Sequence, residues 1–196
     1  AGLVAVCTTD GTPTTQAAAA TALANLISPA NYGITSHYSL TRSSNSIATR
    51  VPTWDDARAG CAAAISSNGA VVDVCVKLCS AEASGEASAS DCDSSSQQRV
   101  VEAGSRLLMH LAAVDASSRE RVVEVGGLDA LVHVCNTAEE GSTLSAAAGA
   151  LDYCSYANGA VQKLGEHASA ISALVRCCDK LTAGSEGLGG AAGVLC

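Results

Sequence analysis

The side chains with chemistry to offer are four histidines, ten cysteines and two acidic pairs. His37, His110, His133 and His167 stand in unlike contexts. His110 and His133 lie inside apolar runs such as Leu131-Val132-His133-Val134-Cys135, where a half-buried structural imidazole is the expected role. A hydrolase elbow needs Gly-x-Ser-x-Gly, so that a sharp turn exposes the nucleophile. Gly184-Ser185-Glu186-Gly187 lacks that spacing and is expected to open a helix. Cys75-x-x-x-Cys79, with Cys92 beyond, puts two thiols on one helix face. Structural zinc takes paired cysteines on tight turns, so these read as small core residues instead. Cys177-Cys178 is a vicinal pair of which at least one member is expected in the core. Gly187-Leu188-Gly189-Gly190 has no Lys after it and no strand before it, so the phosphate-loop and dinucleotide patterns both fail. Close helix approach, or local fraying, is the better account of those glycines. Asp55-Asp56 and Glu139-Glu140 fit solvated helix starts, where carboxylates face the positive end of the helix dipole. The reading is therefore of no catalytic residue, no cofactor and no metal ligand.

Elements built from this sequence must be thin. The chain has 196 residues, of which 48% are hydrophobic and 15% charged, so it is not a disordered polyelectrolyte. It contains no Phe, one Trp and one Met, but 38 Ala. Ala is the best helix former, and small side chains let helices approach closely. An all-α chain with tightly spaced layers follows. The net charge is −8, and the 11 Lys and Arg are scattered singly, which leaves no basic stripe for nucleic acid. No run of 18 apolar residues occurs, so no membrane insertion is expected. The start, Ala1-Gly2-Leu3-Val4, has no basic segment before its apolar run and does not read as a signal peptide. No Asn-x-Ser/Thr sequon occurs. Most of the cysteines sit in apolar runs and read as reduced thiols, which points to an intracellular and most simply cytoplasmic site, free or in a cytoskeletal, ciliary or organelle-associated complex.

An internal repeat organises the chain. Leu3-Val4-Ala5-Val6-Cys7 matches Leu131-Val132-His133-Val134-Cys135 at an offset of 128 residues. At the same offset Ala18-Ala19-Ala20-Thr21-Ala22-Leu23 falls on Ala146-Ala147-Ala148-Gly149-Ala150-Leu151. Three periods of about 43 residues span that offset, within the range of helical repeats. Leu174-Val175-Arg176-Cys177-Cys178 lies 43 residues beyond its counterpart at Leu131, and the runs ending at Leu108 and Leu195 fall at similar intervals. A further copy is expected near residue 65, at Ala59-Gly60-Cys61-Ala62-Ala63-Ala64-Ile65. Asn68-Gly69-Ala70-Val71 resembles Asn158-Gly159-Ala160-Val161 and reads as the short opening piece of a unit. Each unit then has a short helical piece ending in Gly (Val122 to Gly126), a medium one (Leu128 to Cys135) and a long Ala-rich one (Ser142 to Ser155), separated by glycines and polar runs that supply caps.

This pattern resembles the armadillo repeat. Gly126-Gly127-Leu128-Asp129-Ala130-Leu131-Val132 carries the first half of its signature, and Ala19-Ala20-Thr21-Ala22-Leu23-Ala24-Asn25-Leu26 the second. The resemblance covers Ala1 to Ile27 and Arg99 to Cys196 and is poor over Ser28 to Trp54, which is rich in Ser, Thr and Asn. It implies a right-handed α-solenoid of about four to five repeats. The divisions expected are 1–27 (partial), 28–67 (degenerate, with a long polar loop), 68–116, 117–157 and 158–196 (partial). Both ends fall inside helical pieces without polar caps, which reads as a fragment of a longer array.

Peptide-binding members of that family carry Trp and Asn ladders on the concave face. Asn25 matches the Asn position, with Thr21 where the Trp would stand. Met109 and Tyr153 replace the Asn in later copies, while Ser105 and Gly149 replace the Trp. The ladder is absent, and Asn25, Met109 and Tyr153 are the candidate partner contacts that the resemblance leaves. The expected function is a non-catalytic protein–protein interaction scaffold, a structural subunit of a larger assembly. The alternatives are an adaptor for extended peptides of a basic partner and a helical regulatory module of an enzyme.

Overall fold

The computed structural model describes residues 2–8, 12–28, 60–65, 67–80, 94–181 and 186–195. Every regular element among them is a helix. They are α1 (Gly2–Thr8), α2 (Pro13–Ile27), α3 (60–65), α4 (Ala70–Ser80), α5 (Ser94–Val114), α6 (Ala116–Glu124), α7 (Gly127–Thr137), α8 (Gly141–Ser155), α9 (Ala160–Glu166), α10 (Ala170–Lys180) and α11 (Glu186–Leu195).

Local chemistry sets the boundaries. α2 opens with Thr12 as N-cap, its hydroxyl accepting the Thr15 N–H at 3.3 Å, and with Pro13 in the first turn, where no N–H is needed. α6 opens at Asp115, whose Oδ2 accepts the Ser118 N–H at 2.8 Å. Gly126, at φ 77°, turns the chain between α6 and α7, and Gly159, at φ 73°, does so before α9. That backbone conformation strains any residue with a Cβ.

Helices three apart in the chain pack on one another. α2 lies on α5, α5 on α8 and α8 on α11, forming one row. α1, α4, α7 and α10 form a second row in the same order. The rows join where α1 meets α2, α4 meets α5, α7 meets α8 and α10 meets α11. α6 sits against α4, α5, α7 and α8, and α9 against α8 and α10. One continuous core runs between the rows. α8 lies between α5 and α11, and its Thr143, Leu144, Ala146 to Leu151 and Cys154 are all buried.

Two sequence expectations change here. α2 packs directly on α5, so the Ala-rich piece at 60–65 is not a further long helix standing between them. Asn68-Gly69-Ala70-Val71 opens α4, which stands in the row of α7 and α10, whereas Asn158-Gly159-Ala160-Val161 opens α9, which lies outside both rows. The shared tetrapeptide marks a turn entering a helix: Asn68 Oδ1 accepts the Ala70 N–H at 3.3 Å. It does not mark a repeat position. The polar stretch 29–59 lies outside the described residues.

Glycine allows the closest approach. A Cβ on Gly187 would stand 2.3 Å from Ser145 Cα and 2.7 Å from its carbonyl oxygen, and the Gly187 N–H donates to Ser145 Oγ at 3.0 Å. At Gly149 the nearest obstacle is the flexible tip of Met109, with Sδ at 2.8 Å. Gly187→Ala should therefore destabilise by about 1–3 kcal/mol, the usual cost of overpacking. Gly149→Ala should fall near neutral, since a helix-propensity gain of about 1 kcal/mol offsets a small shift of Met109. Denaturant melts of the two variants check this difference.

Candidate functional site

The three candidate contact residues do not share one environment. Asn25 is exposed near the end of α2. Met109 is buried in α5, its thioether against Gly149 of α8, so it fills space between two helices. Tyr153 is half-buried on α8, packed against the core. Met109 is thus brought close to the turn of α8 that precedes Tyr153, while Asn25 stands on α2, another of the helices that α5 touches.

Other candidates resolve into structure. His110 is buried within α5 and His133 half-buried on α7. His37, Asp55-Asp56, Cys92, Gly184 and Ser185 lie outside the described residues. Gly187 and Gly190 face α8 at close range, which is the helix approach expected of that glycine run. Among the described residues no group of three or more His, Cys, Asp or Glu is placed to hold a metal ion, and no helix is long and apolar enough to cross a membrane.

The cysteines form cross-helix thiol pairs. Cys75 of α4 is paired with Cys7 of α1, and Cys135 of α7 with Cys177 of α10. The hydrogen bond and then burial push Cys75 and Cys135 well above the ordinary thiol range. Cys79, next to Ser105 Oγ at 3.5 Å, is pushed up to about 12 by burial, as is Cys154. A protonated, buried thiol is a poor nucleophile. Alkylation of the native protein at mildly alkaline pH should label half-buried Cys61 and Cys178 well before Cys79 and Cys154. Peptide mapping reads the order.

Cations, which sequence reasoning left scattered, turn out to close helix ends. Arg176 on α10 donates to the carbonyls of Cys135 (2.7 Å) and Ala138 (2.8 Å) at the end of α7. Lys163 on α9 donates to Val123 O at the end of α6 (3.3 Å), and Arg119 to Ala112 O at the end of α5 (2.7 Å). The last carbonyls of a helix have no intrahelical donor, and a cation there also meets the negative end of the dipole. Arg121 forms a bidentate pair with Asp73 of α4, at 3.0 and 2.9 Å. No local signal marks these partners, because they stand seven to 48 residues apart in the chain.

A polar groove of 370 Å³ opens between α6, α7 and α9 and includes Glu124, Asp129, Lys163, Glu166 and His167. His167 Nε2 lies 3.6 Å from Asp129 Oδ1, and its Nδ1 faces the Ser169 N–H and Oγ, both at 3.4 Å. Ser169 Oγ also accepts from Asn136 Nδ2 at 3.2 Å, and Ser169 is the N-cap of α10. These distances are too long for an activated serine and suit a turn pinned at a helix start. A second groove, of 670 Å³ and mostly apolar, is lined by α1, α2 and residues 61 to 68, Leu3 and Leu26 among them.

Glu139, ahead of α8, receives Arg176 at 2.9 Å and also Lys180, both from α10. The hydrogen bond and charge of Lys180, then Arg176, hold its carboxyl below the ordinary carboxylate range. A depressed carboxylate pKa contributes stability that is present above the unfolded value and lost as pH falls through the folded one. The melting temperature of wild type should exceed that of Glu139→Gln slightly at neutral pH, and the difference should vanish on acidification below the carboxylate range. The effect is small because the side chain is exposed.

Comparison with protein-family models, with curated proteins and with solved structures returns no match.

Proposed function

We propose that the chain is a stretch of armadillo-like α-solenoid that serves as a non-catalytic protein–protein interaction scaffold. The observation that carries this reading is the serial packing of helices three apart, α2–α5–α8–α11 beside α1–α4–α7–α10. That order supports four units: α1–α2, α3–α5, α6–α8 and α9–α11. Stacked units of this kind present long surfaces and few enclosed pockets, which suits partner binding better than bond making. The two described grooves are open, and in the polar one Lys163 closes a helix end while His167 and Asp129 pair at a turn.

The net charge of −8 favours partners with basic surfaces, through steering that weakens as salt rises. The exposed Asn25 and half-buried Tyr153 remain candidate partner contacts, whereas Met109 acts by spacing α5 from α8. An intracellular, reducing setting is part of this proposal, since most of the described cysteines are buried as small core residues.

Cross-linking mass spectrometry on native material tests the proposal. Reproducible cross-links to defined protein neighbours, confined to one side of the chain, are expected. A free chain with no cross-linked neighbour would overturn it.

A further inference from the structure

Thiols recur along one row of the fold. Val4-Ala5-Val6-Cys7 on α1, Val72-Asp73-Val74-Cys75 on α4 and Val132-His133-Val134-Cys135 on α7 repeat a single Val-x-Val-Cys pattern. α10 carries Val175-Arg176-Cys177-Cys178 in its place, so Cys177 stands where the other three helices have Val. Cys7, Cys75, Cys135 and Cys177 are all at 0% exposure, and they meet two by two across the α1–α4 and α7–α10 contacts, each pair within hydrogen-bond reach. Core packing alone asks only for a small apolar side chain at such sites, as Val134 supplies at the position matching Cys177. Cys79, also buried on α4, meets α5 instead, with its Sγ 3.5 Å from Ser105 Oγ.

Both pairs have a member suited to attack. The hydrogen bond within each pair that raises Cys75 and Cys135 holds Cys7 and Cys177 below the ordinary thiol value. At the second pair Arg176, next to Cys177 in the chain, donates to the Cys135 carbonyl at 2.7 Å, and a guanidinium there favours the thiolate.

We propose that Cys7–Cys75 and Cys135–Cys177 are two oxidation sites, at which a peroxide joins facing thiols into disulfides that staple α1 to α4 and α7 to α10. The thiolate of Cys7 or Cys177 attacks one peroxide oxygen. The O–O bond breaks, a sulfenic acid forms, and the hydroxide released takes up the proton the thiol gave. The partner thiol then attacks the sulfenic sulfur, the S–O bond breaks, and a second water leaves. Two thiols are oxidised and one hydrogen peroxide is reduced to two waters. Moving from thiol contact to an S–S bond of about 2 Å is a small displacement for packed helices. Among the described residues the α4–α7 contact is left unstapled, because Cys79 meets α5 and Cys135 is taken by Cys177. That each staple joins two successive units rests on the repeat reading given above; the pairing itself rests on helix packing alone. Oxidation thus fixes the spacing of the joined helices, and with it the surface offered to a partner.

Disulfide mapping tests the proposal. The full chain, kept dilute to disfavour links between chains, is treated with hydrogen peroxide, blocked with N-ethylmaleimide in denaturant and mapped by mass spectrometry without reduction. The two named links should dominate, with Cys79 and Cys154 recovered as alkylated thiols. The same treatment of the unfolded chain should scatter the links over other pairs. Cys7 and Cys75 are 68 residues apart and Cys135 and Cys177 are 42 apart, so each link closes a long loop of the unfolded chain. The melting temperature should therefore rise by at least roughly 5 °C on oxidation and fall back with dithiothreitol. Cys177→Ser should keep the Cys7–Cys75 link and only part of that rise. Recovery of all four thiols unlinked, or a link from Cys79 to Cys135, would overturn the proposal, and native helicity by circular dichroism would then leave the stacking reading standing. Links that form without raising the melting temperature would overturn the staple. Links as scattered in the native chain as in the unfolded one would remove the stacking reading and the proposal together.

Discussion

Helix α11 approaches α8 so closely that a single methyl group at Gly187 would lie within 2.3 Å of the Ser145 backbone. Most of the architecture follows from that constraint. Helices built from Ala, Gly, Ser and Cys have narrow faces, so their backbones must come near for apolar surface to be removed from water. The chain has no Phe to fill a wider gap. Gly104, whose added Cβ would meet Cys75 O at 2.9 Å, sets the same condition between α5 and α4. Dispersion falls off steeply with distance, and thin layers gain it only when no void remains. The fully buried Leu107, Leu108, Leu111, Leu131, Leu144 and Leu151 supply the larger volumes around which the small residues close.

Close packing of short helices leaves many helix ends near one another, and each end carries carbonyls without donors. Cations from later helices meet this need. Arg176, Lys163 and Arg119 each reach back to the end of an earlier helix. An acidic chain with few cations thus uses several of them internally. This reinforces the acidic character of what is left facing solvent, and it is one physical basis for proposing basic partners.

Much of the helical organisation is legible in the residues. Gly126-Gly127 after a short amphipathic run and the Ala-rich run from Ala146 act locally, so their structural meaning is carried by neighbours in sequence. The position of α4 was not legible, because Asn68-Gly69 and Asn158-Gly159 both precede a helix and nothing in the dipeptide marks which helix follows. The direct contact of α2 with α5 was hidden for another reason: a regular period leads one to expect a long helix near residue 65, and Ala-rich composition imitates that helix anywhere. Of the candidate contacts, Met109 shows the limit of alignment by position. Its burial depends on Gly149, a residue 40 positions away. The cation caps and the Cys135–Cys177 pair are long-range for the same reason.

The central claim is that each unit stacks on the one before it in the chain, as α10 and α11 stack on α7 and α8. A zero-length carbodiimide cross-link tests it most directly, because Lys180 of α10 touches the carboxylate of Glu139 ahead of α8. Peptide mapping of the monomeric protein should return a Lys180–Glu139 link as a dominant intrachain product. Lys180 joined chiefly to acids elsewhere in the chain, with Glu139 unlinked, would contradict the stacking.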